Sequence, residues 1–354
     1  MNGRKWQRVP LRPLPLTVPR FEVLDPRYDP EPTYWPALRR RAGLRADWSW
    51  DVLRAQAWCA HTPQPIWVRH EDGAPGAVVS ADWVGSQLRR FRFVRGGLGG
   101  LVVRSPGTSA VPGWWLANDQ EPDRLRGLVA DYRTTMRREI GIGMRGVLLR
   151  QLGADQVAEV SGRLRVVRRT EDVSLLDTAR FGSRDEWLAT LAKKRRHNLR
   201  TIFRTIDNDP SIEVNDLGAN PAEVANLLRH NDVKYRTAAV LPPPPPTSVG
   251  YLERLLGQPE VRTTSYRDRT SGALLGVGLV LDHPDWPIWR SWSTLPIERG
   301  GRQNLYFHFY GELVRWAIET GKHGVMIGKG LPSLKKTLGA AQVPQYAAAI
   351  PVGW

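Results

Sequence analysis

The sequence has few of the residues from which covalent and metal-dependent catalysis is most often built. Its single cysteine, Cys59, can form neither an intrachain disulfide nor a site with several thiolate ligands. Cys59 stands among apolar neighbours in a predicted helix over 51–60, which favours a buried structural thiol over a nucleophile. The seven histidines show no HExxH or His-x-His spacing, and no Gly-x-Ser-x-Gly motif is present. We therefore expect neither a metal centre nor a thiol or serine nucleophile.

Long apolar runs are absent as well. No stretch approaches the length of a transmembrane helix. The first 20 residues are basic and rich in proline, without the continuous apolar segment of a secretory signal. These two absences predict a cytoplasmic protein that is not inserted in a membrane.

Acidic residues are scarce relative to basic ones. The chain carries 51 Lys and Arg against 35 Asp and Glu, a formal net charge of +16. Such an excess favours a large anionic partner, such as a nucleic acid, or a phosphorylated substrate. A genomic bias towards arginine explains the excess poorly, because it would enrich acidic residues too.

The order of predicted elements suggests two domains of one fold, in line with the length of 354 residues. Prolines crowd residues 1–36, which we interpret as an extended basic arm. Between 37 and 172 the pattern predicts a helix, a hairpin, further strands including 89–94, a long helix over 121–140 and a strand at 147–149. A similar order recurs between 173 and 354. There the predicted elements are helices at 186–208, 221–235, 250–256 and 304–320, strands at 261–267, 274–281, 289–293 and 325–327, and a stiff proline loop at 242–246.

The helix predicted over 186–208 carries a basic cluster. Leu188, Leu199 and Phe203 share its apolar face, and Arg195 falls on that same face, where it needs an anion or a carboxylate. Six Lys and Arg residues, with no acid among them, occupy 193–204. Polyanion binding and an ordinary solvated face with one internally paired arginine both stay open. The candidate polyanion-binding residues are Lys193, Lys194, Arg195, Arg196, His197, Arg200 and Arg204.

A second candidate site precedes the helix at 304–320. Two glycines between two arginines stand just before this helix, where backbone N–H groups and the helix dipole attract phosphate. The helix is apolar on more than one face, which predicts that it is buried in the domain centre. An ordinary flexible loop is the alternative interpretation. The candidate donor-phosphate residues are Arg299, Gly300, Gly301, Arg302 and Asn304.

Groups able to act on a reacting carbonyl are found near the end of the chain and elsewhere. Lys329 lies between two glycines and Lys336 follows a short predicted helix, so either could stabilise developing negative charge or anchor a phosphate. Lys322 and Lys335 are expected to be ordinary surface lysines. Tyr306 and His308 could exchange protons. The candidate bases are Asp177, Asp232 and Glu298, or the acceptor substrate itself, and the sequence does not choose among them.

Taken together, four of these segments resemble the second domain of Fem-type proteins of the GNAT acyltransferase superfamily. The segments are 192–200, the Gly-Val-Gly-Leu-Val-Leu strand at 276–281, Trp-Ala-Ile-Glu-Thr-Gly at 316–321 and Lys-Thr-Leu-Gly at 336–339. The resemblance covers mainly residues 180–340. It implies an α/β protein with two GNAT-like domains, each a mixed central sheet flanked by helices, and transfer of an acyl or aminoacyl group to an amine. The expected organisation is an arm at 1–36, a first domain at 37–172 and a second domain at 173–354 that carries the active site.

The same resemblance bears on the donor. The pyrophosphate loop of acetyl-CoA users resembles Gln/Arg-x-x-Gly-x-Gly/Ala, whereas 299–304 reads Arg-Gly-Gly-Arg-Gln-Asn. This departure disfavours CoA and favours aminoacyl-tRNA as co-substrate, with no cofactor. An aminoacyl ester is already activated, so alignment of the amine and stabilisation of an oxyanion suffice.

The leading hypothesis is therefore an aminoacyl-tRNA-dependent aminoacyltransferase. Its acceptor would be a small-molecule or peptidic amine, and antibiotic or secondary-metabolite biosynthesis is one setting that the resemblance implies. An acyl-CoA-dependent N-acyltransferase and a non-enzymatic nucleic-acid-binding protein are the alternatives.

Overall fold

A computed structural model describes residues 20–60, 62–86, 97–118, 121–216, 219–235 and 247–352, with only the backbone described for 231–235. The first 19 residues of the predicted arm, the predicted strand at 89–94 and the proline loop at 242–246 lie outside the described residues.

The described chain forms fifteen strands and ten α-helices. The strands are β1 (Arg20–Leu24), β2 (Ile66–Glu71), β3 (Ala74–Gly85), β4 (Gly99–Val103), β5 (Trp114–Leu116), β6 (Met144–Leu152), β7 (Val166–Arg169), β8 (Val173–Asp177), β9 (Ile212–Asn215), β10 (Val261–Asp268), β11 (Leu274–Leu281), β12 (Ile288–Thr294), β13 (Gly324–Gly328), β14 (Ala341–Val343) and β15 (Tyr346–Pro351). The helices are α1 (Trp35–Arg41), α2 (Trp50–Cys59), α3 (Arg124–Ile140), α4 (Val157–Val160), α5 (Arg184–Thr190), α6 (Lys193–Asp207), α7 (Pro221–Tyr235), α8 (Val249–Leu256), α9 (Leu305–Glu319) and α10 (Pro332–Thr337). Short 3₁₀ helices occupy Ala46–Trp48 and Ile297–Arg299.

The strands form two mixed sheets, as predicted. The first has the order β1-β2-β3-β4-β6-β15-β7, with β5 beside β3, and the second has the order β14-β8-β13-β12-β11-β10-β9. Each sheet holds one parallel pair joined through a long helix, β4-α3-β6 in the first and β12-α9-β13 in the second. Both helices begin directly after a residue in the left-handed conformation, Asp123 with φ of 62° and Asn304 with φ of 65°. The two halves of the chain therefore repeat one local design.

The end of the chain returns to the first sheet. Strand β15 lies between β6 and β7, with Ala349 paired to Leu148 on one side and to Val166 on the other. The first sheet thus receives strands from both ends of the chain, and the second sheet is built from the residues between them.

Apolar packing joins the two sheets into one structure. One core surrounds α3, and another surrounds α9 with Trp187, Phe309 and Tyr310 at its centre. A third core combines Ala46 and Val52 of the first half with α7, α8 and β11 of the second. Helix α9 is buried, as its apolar pattern predicted. Within the described residues, no helix is both long enough and apolar enough to span a bilayer.

The helix predicted over 186–208 is wrong in one respect, because it is two helices. The chain leaves helical conformation at Leu191 and Ala192, whose ψ angles are 155° and 141°. Arg196 stabilises this break by donating from Nη1 to the Ala189 oxygen at 2.9 Å and to the Leu191 oxygen at 3.3 Å. The break lets Leu188 on α5 and Leu199 on α6 both reach the core around α9.

Candidate active site between strands β12 and β13

The parallel strands of the second sheet diverge where their carboxyl ends lie. Among the described residues, Ile288 and Met326 form the only pair between β12 and β13. In the first sheet, by contrast, β4 and β6 stay paired from Gly99 to Val103. The gap between β12 and β13 opens towards the loop that leads into α9. In α/β sheets, ligands bind outside the carboxyl ends of parallel strands, so this gap is the candidate reaction site.

A buried lysine lies at the edge of the gap. The Lys335 ammonium, from α10, donates to the main-chain oxygens of Ile327 and Gly328 at 2.6 and 3.2 Å, past the point where β12 pairs with β13. Lys335 is only 6% exposed, and burial lowers its pKa to about 8. The expectation of a surface lysine at 335 is therefore wrong, because α10 folds back under the end of β13.

Aromatic side chains line the α9 side of the gap. The pairing of β12 with β11 shifts register at Arg290, and a bulge of this kind re-aims the side chains around it. Trp289 and Trp292 consequently both face α9. Trp292 stacks on Phe309 with ring centroids 5.1 Å apart, and Trp289 lies 5.2 Å from the Tyr306 ring.

Two tyrosine hydroxyls in this aromatic cluster have no hydrogen-bond partner in the described part of the chain. They belong to Tyr306 and Tyr310, one turn apart on α9, and both rings contact Trp289. Burial raises the pKa of Tyr306 to about 12 and raises that of Tyr310 as well. A buried hydroxyl without a partner costs about 1–3 kcal/mol, so a polar group of a ligand placed beside either tyrosine would be favoured.

A chain of hydrogen bonds runs from the surface to a tyrosine beside this aromatic cluster. The Nδ1 atom of His308 lies 2.9 Å from the Tyr266 hydroxyl, and its Nε2 atom lies 2.8 Å from Oδ1 of Asp207. Tyr266 and His308 are buried, whereas Asp207 is half exposed. Tyr266 in turn packs edge-on against Trp292. Two hydrogen bonds thus join the half-exposed Asp207 to a buried tyrosine hydroxyl beside the aromatic cluster.

The glycine loop before α9 is folded on itself. The backbone N–H groups of Arg299 and Gly301 donate to the Pro296 oxygen at 2.9 and 3.0 Å, and that of Gly300 donates to the Ile297 oxygen at 3.0 Å. Gly301 is required by close approach, because a Cβ there would collide with the Leu295 carbonyl. These three N–H groups are therefore already occupied.

The two arginines of this loop are also engaged. Arg302 pairs with Asp268 at 3.2 Å, and Arg299 donates to Nε2 of His230 at 2.5 Å. Asn304 is exposed and provides the left-handed residue before α9. The backbone donors and both arginine side chains of the loop thus already have partners, so a phosphate would have to compete with Asp268 and His230 for the arginines.

The corresponding helix start in the first half is closed to anions. The Glu159 carboxylate accepts from the backbone N–H groups of Leu125 at 3.0 Å and Arg126 at 3.4 Å, in the first turn of α3. An anion would be repelled there. The start of α9 has no capping side chain among the described residues, so of the two helix starts only this one is open.

The basic helix α6 packs directly on α9. The Phe203 ring occupies the space that a Cβ at Gly311 would need, and Arg195 lies over the Phe307 ring with 5.7 Å between its guanidinium carbon and the ring centroid. Arg195 therefore meets an aromatic face rather than a carboxylate. Among the other basic residues of the cluster, Lys193, Lys194, His197, Arg200 and Arg204 are exposed, and Arg196 is partly buried.

Lys329 lies between the two halves of the molecule. It follows β13 directly, and burial together with the nearby Arg150 of β6 lowers its pKa to about 8, against the opposing effect of Glu171 and Asp172. The first half thus contributes a cation to the same region as the end of β13.

The remaining predicted residues are not brought together. Lys336 is exposed, and so is Glu298 in its 3₁₀ helix. Asp177 pairs with Gly324, at the opposite end of β13 from Lys329, and its Oδ1 accepts from the Ala179 N–H at 3.1 Å. The backbone of Asp232 belongs to α7, and its side chain lies outside the described residues. Within that description, no group of His, Cys, Asp or Glu side chains is placed to hold a metal ion.

Sequence reasoning missed several residues of the site. Tyr310 could have been found, since it stands four residues after Tyr306 on a predicted helix. No sequence pattern pointed to Asp207, Tyr266 or Arg150, because each of them reaches the site from an element distant in sequence.

The fold is similar to several solved structures. L-PGS from Bacillus licheniformis matches with a TM-score of 0.55 and 14% sequence identity over 90% of this chain and 91% of the other. FemX matches with a TM-score of 0.56 and 9% identity over 83% and 90%. A tandem GNAT protein from the clavulanic acid biosynthesis pathway matches with a TM-score of 0.50 and 13% identity over 95% and 99%. No protein-family model and no curated protein matches the sequence. At these identities the likeness establishes the fold, and it confirms the expected pair of GNAT-like domains.

Proposed function

We propose that this chain is an aminoacyltransferase that takes an aminoacyl group from tRNA and joins it to an amine of a small-molecule or peptidic acceptor. The observation that carries the proposal is the contact between Arg195 and Phe307, which puts the start of the exposed basic helix beside the open start of α9. A polyanion held along α6 would thus deliver its reactive end to the gap between β12 and β13. Phosphate contacts from Lys and Arg supply most of the affinity in such complexes.

The chemistry needs few groups. The acceptor amine attacks the ester carbonyl of the aminoacyl group, and the new C–N bond forms. The C–O bond to the tRNA ribose breaks, the amine loses a proton, and the departing ribose oxygen gains one to become a hydroxyl. Lys329 and the α9 start would stabilise the oxyanion. The Asp207–His308–Tyr266 chain would take the proton, unless the acceptor itself does so.

The donor preference has its own support. The N–H groups of Arg299, Gly300 and Gly301 are used inside the loop, so a CoA pyrophosphate would find fewer backbone donors there. The uncapped start of α9 is the observation that favours the second candidate, an acyl-CoA-dependent N-acyltransferase. One of the similar structures comes from clavulanic acid biosynthesis, and a comparable biosynthetic role is part of the proposal for this chain.

The test follows the fate of the donor. The full chain is incubated with radiolabelled aminoacyl-tRNAs and, separately, with labelled acyl-CoAs, each with a panel of amines. Protein-dependent loss of label from one tRNA class supports the proposal and names the amino acid. Loss from acyl-CoA alone moves the function to the second candidate, and tRNA binding without any transfer supports a nucleic-acid-binding protein.

A matched pair of substitutions separates the basic helix from general charge. Arg204 of α6 and Arg254 of α8 are both exposed, and both stand in the last turn of a helix. We expect Arg204→Glu to weaken tRNA binding several-fold and to reduce its salt dependence, while Arg254→Glu leaves both unchanged. Equal effects of the two substitutions would remove α6 from the proposed donor site.

A further inference from the structure

One end of the first sheet brings several chain segments together. Strands β4 and β6 both begin there, since Gly99 pairs with Met144. Strand β15 ends there, with Pro351 beside Gly146. Strand β7 begins on the far side of β15. The segments that precede β4, β6 and β7 therefore share one end of the sheet.

Each of these three segments exposes a large aliphatic side chain. Leu98 is 52% exposed before β4, Ile142 is 80% exposed before β6, and Leu164 is 79% exposed before β7. Solvated loops usually carry polar residues at such points, and exposed apolar groups that cluster at one place mark an interaction surface.

The backbone holds two of these side chains outward. Arg137 of α3 donates to the main-chain oxygens of Ile142 at 3.0 Å and Met144 at 2.5 Å, and the Gly99 N–H donates to the Gly143 oxygen at 3.1 Å. Leu164 has a φ of 62°, a left-handed conformation that is uncommon and strained for leucine. The exposure of both residues is thus part of a defined local structure.

Arginines are frequent in the second half of α3 and in the segment before β7, which lead to this end of the sheet. No ion pair is found for any of these five arginines in the described part of the chain, and the acids of α3 are Asp131, which pairs with Arg69, and the exposed Glu139. Arg133 donates to the Pro351 oxygen at 2.6 Å, and Arg165 donates to the Val160 oxygen at 3.2 Å. Burial and the neighbouring Arg165 lower the pKa of Arg133. The five arginines are Arg133, Arg137, Arg138, Arg163 and Arg165.

We propose that this arginine–aliphatic end, formed by Leu98, Ile142, Leu164 and the five arginines, docks on the surface of an anionic lipid bilayer. Lipid phosphates complement the arginines, and the aliphatic tips enter the boundary between headgroups and acyl chains. A nucleic-acid backbone would complement the charge but would leave the three aliphatic groups without a partner. The inference goes beyond the proposed acyl transfer and does not depend on it.

The test measures partition of the full chain onto vesicles. One set contains phosphatidylcholine alone, and the other contains equal parts of phosphatidylcholine and phosphatidylglycerol. The double variant Ile142→Ser with Leu164→Ser is compared with Leu331→Ser and Val214→Ser, whose parent residues are also exposed aliphatics but lie in the second half. Thermal unfolding of both double variants checks that the fold is unchanged.

We expect binding to the anionic vesicles only, weakened by salt. The Ile142 and Leu164 double variant should lose about tenfold or more in partition coefficient, since the loss scales with the aliphatic groups removed from the bilayer. The control double variant should bind as the natural chain does. The proposal is overturned by absence of vesicle binding or by equal losses in the two variants. It is equally overturned if the Ile142 and Leu164 variant loses tRNA binding instead, or if it dissociates a dimer seen by light scattering.

Discussion

Arg195 at the start of α6 lies over the ring of Phe307 in the first turn of α9, with 5.7 Å between guanidinium carbon and ring centroid. An arginine on an apolar helix face needs a partner for its charge. Here the negatively polarised face of the ring attracts the guanidinium, so no buried carboxylate is required. The contact also ties the basic helix to the helix start at the candidate site. The residues proposed to bind phosphate, on α6, therefore lie next to the helix start proposed to take part in group transfer.

Lys335 and Lys336 are adjacent in sequence but differ in environment. Lys335→Met leaves two main-chain oxygens without their donor, so we expect the free energy of unfolding to fall by about 2 kcal/mol. Lys336→Met removes an exposed charge and should change it by less than about 0.5 kcal/mol. Urea denaturation of both variants measures the difference. Equal stability of the two variants would show that the hydrogen bonds of Lys335 do not stabilise the end of β13.

Lys329 predicts a pH dependence of transfer. Its pKa is lowered to about 8, so the ammonium form that stabilises an oxyanion declines as the pH rises through 8. We expect the transfer rate to fall above about pH 8 and the fall to shift to higher pH in Lys329→Arg, which keeps the charge. Lys329→Met should lower the rate at every pH. A rise through pH 8 that is lost in Lys329→Met would instead assign the neutral Lys329 amine as a base, since a rise from the acceptor amine would remain in that variant.

Substitution of Gly301 is expected to lower the stability of the fold, independently of any effect on donor binding. In Gly301→Ala the Cβ would meet the Leu295 carbonyl, and relief of that contact should lower the unfolding free energy by about 1–3 kcal/mol. Gly330→Ala is the control, since nothing lies within 4 Å of a Cβ at that position. Thermal unfolding compares the two variants. If Gly301→Ala unfolds like Gly330→Ala, the tight turn does not need a glycine.

Asp47 predicts how stability changes with pH. Its carboxylate is buried without a hydrogen-bond partner among the described residues, and burial raises its pKa to about 7 although Arg45, Arg290 and Arg39 lie near enough to oppose the shift. Between about pH 4 and pH 7 folding then takes up a proton at Asp47, so the contribution of this residue to the free energy of unfolding is largest below about pH 4 and is lost as the pH rises through 7. The loss is at most about 4 kcal/mol, at about 1.4 kcal/mol per pKa unit.

The substitution Asp47→Asn should remove this dependence. Asp51→Asn, at an exposed position four residues away, should keep the slope of the natural chain. Urea denaturation at pH 5 and pH 8 measures both. A slope that survives in Asp47→Asn would assign it to another group.

The sequence predicted what depends on local pattern. The apolar residues on several faces of 304–320 predicted the buried helix α9. The repeated order of elements suggested two domains of one fold, and the resemblance to Fem-type proteins implied the two mixed sheets. The charge and apolar face of 193–208 predicted a basic helix. They did not predict the break at Leu191, because that break allows α5 and α6 to pack on α9, a helix distant in sequence.

The candidate site was only partly predictable, because burial in loops depends on distant segments. Sequence spacing made Lys336 a candidate and Lys335 a surface residue, but packing of α10 under β13 buried Lys335 and left Lys336 exposed. Gly300 and Gly301 were predicted to let the backbone approach a phosphate closely, and only the folded turn shows that their N–H groups are bonded within the loop. The Asp207–His308–Tyr266 chain joins α6, α9 and β10, and it exists only once those elements pack.

By itself, then, the sequence determined the periodic elements, the surplus of positive charge and the buried character of α9, because periodicity and composition act through neighbouring residues. The tertiary structure alone decided that β15 joins the first sheet and that Glu159 closes one helix start while the start of α9 stays open. It also decided that Lys329 lies near enough to Arg150 for the two charges to interact. Each of these outcomes requires a contact between residues far apart in the chain, and such contacts arise only when the two sheets pack.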